Sequence, residues 1–182
     1  MNVLDNAERT RILACLVEGC SVRSTCRITG FAKGTVLRFV AELGEVCEAY
    51  HDRTARRLRS ERVQCDEIWS FCHCKEKNVP DRMRGTPGVG DVWTWTALDS
   101  DTKFMISWYV GDRDAQCAGR FMLDLARRLG NRCQLTTDGY RVYERAVQDA
   151  FGWNVDYART SRPATSSGRT SRCGWGCAGS PG

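Results

Sequence analysis

The chain has 182 residues, of which 42% are hydrophobic and 27% charged. No apolar run approaches the roughly 20 residues that cross a bilayer, which excludes a membrane-spanning helix. The net charge of +5 is uneven, with +3 over residues 1–60, −2 over 61–158 and +4 over 159–182. A basic N-terminal unit is compatible with a nucleic-acid partner. Asp5, Glu8, Arg9 and Arg11 interrupt the first turns of the chain, which speaks against a signal peptide. Eleven cysteines, an odd number without a CxxC pair, read as reduced thiols of a cytoplasmic protein rather than a disulfide framework.

Ile12, Leu13, Leu16 and Val17 recur at helical spacing, and Gly19 is a natural stop. Ser21 can cap a second short helix over Val22–Thr29. Gly30-Phe31-Ala32 then makes a tight break. A third helix is expected from Lys33 to Leu43, with Val36, Leu37 and Val40 inward and Gly44 closing it. Two helices joined by a three-residue, Gly-containing turn behind a supporting helix follow the helix-turn-helix pattern. Lys33, Thr35 and Arg38 would then face outward as donors for phosphates and base edges. A plain three-helix unit used for protein contacts is the alternative. We assign residues 1–48 to this unit and 49–61 to an Arg-rich connector, either a solvated helix or a linker that tracks a nucleic-acid backbone.

The period changes at about residue 62. Val63–Phe71, Val92–Leu98 and Phe104–Val110 are three β-prone runs, and the Asp99–Thr102 turn points to an antiparallel meander. Trp69, Trp93, Trp95 and Trp108 are expected to fill its core. Ala118, Phe121, Met122, Leu125 and Leu129 mark a helix, Arg132–Thr137 a strand, Tyr140–Ala150 a helix and Trp153–Tyr157 a last strand. The order βββ-α-β-α-β is that of a ribonuclease-H-like domain short of its final helix. The fold class is therefore α/β, an all-α helix-turn-helix followed by a mixed sheet over 62–158. Residues 159–182 contain no Val, Ile, Leu, Met, Asp or Glu, and read as a disordered tail.

Asp66 interrupts an apolar strand, and Asp138 sits at the C-terminal end of the fourth strand, where α/β sheets gather their sites. The proposed topology makes these strands neighbours. Two adjacent carboxylates call for a cation between them, and paired Asp oxygens suit Mg²⁺. Such a centre can run phosphoryl transfer.

With these residues a resemblance becomes specific. Cys65-Asp66-Glu67-Ile68-Trp69-Ser70-Phe71, Lys75-Glu76-Lys77, Trp93–Asp99, Val110–Asp114 and Leu135–Tyr140 resemble, in order, the insertion-sequence transposases of the IS-one type. The resemblance implies a DDE recombinase that binds terminal inverted repeats of double-stranded DNA. It also implies Mg (or Mn), two ions per site, for phosphodiester hydrolysis and strand transfer, with a homo-oligomer assembled on DNA. Asp66 would match the first family acid and Asp138 the second, both as metal ligands and catalytic groups. The third family acid, a Glu on a basic helix beyond the fifth strand, has no counterpart after Asp156. Residues 159–182 look like an out-of-frame translation, so we expect a truncated or frameshifted transposase with defective catalysis. A non-catalytic DNA-binding repressor of transposition is the alternative.

Overall fold

The computed structural model describes residues 4–160, so the expectation of a disordered tail lies, beyond Thr160, outside the described residues. The chain divides into two compact units, Met1–Leu58 and Arg59–Gly182.

The first unit holds α1 (Asn6–Val17), α2 (Val22–Thr29) and α3 (Lys33–Thr54). Asp5 and Glu8 close a reciprocal capping box at the start of α1, with bonds of 2.8 and 2.9 Å. Ser21 caps α2 by accepting from the Ser24 N–H. Gly30 ends it in the left-handed region, at φ 80°, where a side chain would be strained. The core is Ile12, Val36 and Phe39, with Leu4, Leu16, Val22, Cys26, Phe31, Val40 and Leu43 packed around it.

Two expectations change here. Leu37, expected inside, is 45% exposed, and Phe39 takes the buried place. Helix α3 also continues through Gly44 to Thr54, absorbing much of the expected connector. Gly44 costs the helix only about 1 kcal/mol relative to Ala. Glu45, Val46, Cys47, Glu48 and Ala49 carry the helix past it, and no neighbouring group interrupts it.

The second unit is a five-stranded mixed sheet made of β1 (Arg62–Cys72), β2 (Gly90–Asp99), β3 (Met105–Gly111), β4 (Cys133–Thr137) and β5 (Val155–Arg159). The spatial order is β3-β2-β1-β4-β5. The first three strands pair antiparallel, whereas β4 joins β1, and β5 joins β4, in parallel. This is the ribonuclease-H-like order expected from the sequence. Strand β5 includes Arg159, one residue past the expected domain end.

Helix α4 (Ala115–Arg128) links β3 to β4, α5 (Val142–Phe151) links the parallel β4 and β5, and the two helices pack on each other. The helix-facing core comprises Val63, Cys65, Trp95, Ala97, Ile106, Leu135, Phe121, Leu125, Tyr143 and Val147, all under a tenth exposed. Trp95 is the aromatic centre, edge-on to Tyr143 at 5.4 Å and tilted against Phe121 at 6.0 Å. The other tryptophans depart from expectation. Trp69 is 39% exposed, and Trp93 and Trp108 are only partly buried. Strand alternation explains Trp108, which pairs with Thr96 and so lies on the face opposite Trp95, whereas Trp93 shares the face of Trp95 nearer the start of β2 and packs under Arg113.

Candidate metal centre

Strands β1 and β4 form a short parallel ladder, Arg62–Gln64 against Gln134–Thr136, with Gln64 opposite Thr136. Two residues further along that register, Asp66 falls beside Asp138. The ladder ends first, because β4 stops at Thr137 while β1 runs on to Cys72 beside β2. The strands part at the carboxyl ends of a parallel pair, where α/β sheets place their ligands. The sequence reading anticipated this juxtaposition, although the roles of the two residues remain a proposal.

Asp66 is exposed, and its Oδ1 accepts from the Glu67 backbone N–H at 2.9 Å. Its own carbonyl accepts from the Thr96 hydroxyl. Asp138 is partly buried, and its Oδ1 accepts from the Tyr140 N–H at 2.9 Å in an Asx turn. A third carboxylate, not singled out from the sequence, completes the group. Oxygens of Asp66, Glu67 and Asp138 lie within 4.8 Å of one another. The buried carboxylate of β1 is Glu67, whose side chain is 2% exposed. Asp66, within the apolar run of the strand, is on its exposed face. Val63 and Cys65 set the buried phase of the strand, and Glu67 falls in it.

Arg113, in the β3–α4 connection, supplies the counter-charge. Its guanidinium donates to Glu67 Oε2 from Nε at 3.2 Å and from a terminal nitrogen at 3.0 Å, and lies 3.7 Å from Asp138. It stacks against the rings of Tyr140 at 4.0 Å and Trp93 at 4.9 Å. The connection itself is pinned, because the Asp112 carbonyl accepts from Trp95 Nε1 and the Arg113 carbonyl accepts from the Tyr140 hydroxyl. Asp114 then caps α4 through the Cys117 N–H at 2.8 Å.

The far side of Glu67 is less complete. Its Oε1 is buried short of a full hydrogen bond, and the Tyr143 hydroxyl, likewise buried, is the donor beside it. Burial, then the nearby Cys65 thiol and the Glu67 carboxylate, push the Tyr143 phenol far above its ordinary pKa, so it stays protonated. Burial likewise raises the Cys65 thiol beside it.

Three carboxylates at these separations repel by roughly 3 kcal/mol per pair at an effective dielectric of about 20. One guanidinium offsets part of this. The donors are hard oxygens, the set that Mg²⁺ and Mn²⁺ prefer. The Asp66 and Asp138 oxygens that Arg113 leaves open, and the residual negative charge, both fit a divalent cation. Glu144, on α5, is instead paired with Arg159 and is not in the group.

A cleft lined by Trp69, Lys75, Glu76, Lys77, Arg84 and Asp91 lies beyond the same end of β1, with Lys75 Nζ 4.9 Å from the centre of the Trp69 ring. In the N-terminal unit, Lys33 and Arg38 are exposed on α3 and Thr35 is partly buried.

No protein-family model and no curated protein matches the chain. Among solved structures, a chain described as "Crystal structure of a pre-cleavage Mos1 transpososome" aligns at 13% identity with a TM-score of 0.35. The alignment covers 90% of this chain and 61% of that one, so this chain spans less than two thirds of its length. A likeness that distant carries no weight for fold or activity.

Proposed function

We propose that this chain is a DNA transposase of the insertion-sequence type. In this reading the Asp66–Asp138 pair seats Mg²⁺ or Mn²⁺ and the N-terminal helices hold double-stranded DNA of the element's ends. The observation that carries it is the meeting of Asp66 and Asp138 where β1 and β4 part. Divalent metal bound there would activate water and stabilise the leaving oxygen of a phosphodiester. Asp66 and Asp138 supply the oxygen donors. Lys75 and Lys77, along the cleft beyond β1, offer donors for the DNA backbone near the scissile bond. Lys33, Thr35 and Arg38 of α3 would meet phosphates and base edges in the major groove, within a homo-oligomer assembled on DNA.

Among the described residues, the acid grouped with Asp66 and Asp138 is Glu67, which Arg113 already holds, and no carboxylate from beyond β4 joins them. We therefore propose that strand cleavage and joining are defective in this chain, while cation binding and DNA-end occupancy persist. The exposed Lys33 and Arg38 also support the second reading, a DNA-binding repressor of transposition. Mn²⁺ binding by electron paramagnetic resonance, combined with nicking of labelled inverted-repeat duplex, tests both. We expect Mn²⁺ binding that Asp66→Asn and Asp138→Asn abolish, selective duplex binding and no nicking. Metal-dependent nicking that Asp66→Asn removes would overturn the claim of defective catalysis. Failure to bind Mn²⁺ would remove the metal centre and leave the repressor reading.

A further inference from the structure

Glu67 poses a problem that Asp66 and Asp138 do not. Its carboxylate is buried, with one oxygen held by Arg113 and the other beside the neutral Tyr143 hydroxyl. A buried carboxylate is retained only where a charge compensates it. Arg113 does so with two donors, yet the same guanidinium reaches to 3.7 Å from Asp138, a proposed ligand. A cation already stands beside the seat. Trp93, Tyr140 and the pinned 112–113 backbone keep it there. Its attachment to Glu67 is the shorter and the paired one. Counting each carboxylate as ionised, Asp66, Glu67, Asp138 and Arg113 together carry a charge of −2, which matches one divalent ion.

We propose that Glu67 is a positioning residue that acts on the metal seat through Arg113. By holding the guanidinium off Asp138 it leaves Asp66 and Asp138 free to take one divalent cation, rather than two, in the absence of DNA. This rests on the reading that Asp66 and Asp138 seat a cation. Without Glu67, Arg113 has one carboxylate left within reach, and it competes with the metal for Asp138. The Tyr143 phenol, protonated and beside Glu67, adds no charge to the balance.

The test is Mn²⁺ titration of the full chain by electron paramagnetic resonance at fixed pH. The wild type is expected to bind one ion per chain. Glu67→Gln is expected to weaken binding by about tenfold or more, the usual scale for loss of a residue that orients a ligand. The double variant Glu67→Gln/Arg113→Gln restores the −2 charge and is expected to return to within about threefold of wild type. A general packing role would make the double variant worse than the single one. A direct metal–Glu67 bond would leave it as weak. Either result, or a second ion bound by the wild type, overturns the proposal. Should Glu67→Gln alone lose its fold by circular dichroism, wild type against the double variant decides, with near-equal affinity supporting the proposal and a tenfold loss rejecting it. Unchanged Mn²⁺ binding in Asp66→Asn and Asp138→Asn would instead defeat the underlying metal-centre reading. Their loss of binding, with Glu67→Gln binding as wild type, would defeat the positioning role alone.

Discussion

Asp99 and Glu67 are both carboxylates withdrawn from water, and the chain treats them differently. Asp99 ends β2 and is 7% exposed. The Ser60 hydroxyl and the N–H groups of Thr102 and Asp101, the latter two at 2.8 and 2.9 Å, hold its pKa down to about 2 from 3.8. Because the folded value lies below the unfolded one, the stabilisation is complete above pH 3.8 and is lost as pH falls toward 2. Linkage puts it at about 2 kcal/mol. Asp99→Asn should therefore destabilise the sheet unit by up to about 2 kcal/mol near neutral pH, with the gap to wild type closing at about pH 2. Urea unfolding followed by tryptophan fluorescence at both pH values measures it. A gap that persists in acid would mean that the Asn side chain fails for reasons of fit rather than charge. Glu67, by contrast, relies on one guanidinium. That difference separates a carboxylate built into a turn from one held in a buried ion pair beside the proposed cation seat.

At the scale of elements, strand order was legible in the sequence because β-prone runs and helical periods alternate cleanly from Val63 to Tyr157. The Asp66–Asp138 juxtaposition followed from that order. The phase of β1 did not, because Asp66 and Glu67 are adjacent carboxylates and either could occupy the inward position. Val63 and Cys65 settle it, and the same alternation, carried two residues further, points to Glu67. Arg113 was beyond sequence reasoning, since only the β3–α4 connection brings it to β1. In the N-terminal unit the turn was readable from Gly30, whereas the length of α3 was not, because Gly44 looked like a stop. Opposite effects of one substitution test this contrast. Gly30→Ala places a side chain at φ 80° and should cost about 1 kcal/mol. Gly44→Ala meets no neighbouring atom within 4 Å and should stabilise α3 by about 1 kcal/mol. Urea unfolding followed by far-ultraviolet circular dichroism reads both. Destabilisation by Gly44→Ala would show that α3 needs its glycine for a reason other than conformation.

For the whole molecule, the division into Met1–Leu58 and Arg59–Gly182 goes with a division of charge. Residues 1–60 carry ten basic and seven acidic side chains, and residues 61–158 carry thirteen and fifteen. The proposed cation seat and the proposed DNA-reading helix lie in separate units and should respond to separate substitutions. Lys33→Ala and Arg38→Ala should each weaken duplex binding and lower the slope of log affinity against log salt by about one for each phosphate no longer neutralised. Neither should alter Mn²⁺ binding. Asp66→Asn should abolish Mn²⁺ binding and leave the affinity contributed by α3 intact. Fluorescence anisotropy on inverted-repeat duplex at several salt concentrations, with Mn²⁺ resonance on the same samples, separates these effects. If Arg38→Ala lowers affinity equally for every duplex, α3 grips the backbone alone. A loss confined to the inverted repeat would make Arg38 a reader of base edges. If Asp66→Asn also weakens duplex binding at fixed salt, DNA and cation share one site, and a repressor acting through its N-terminal helices alone is ruled out.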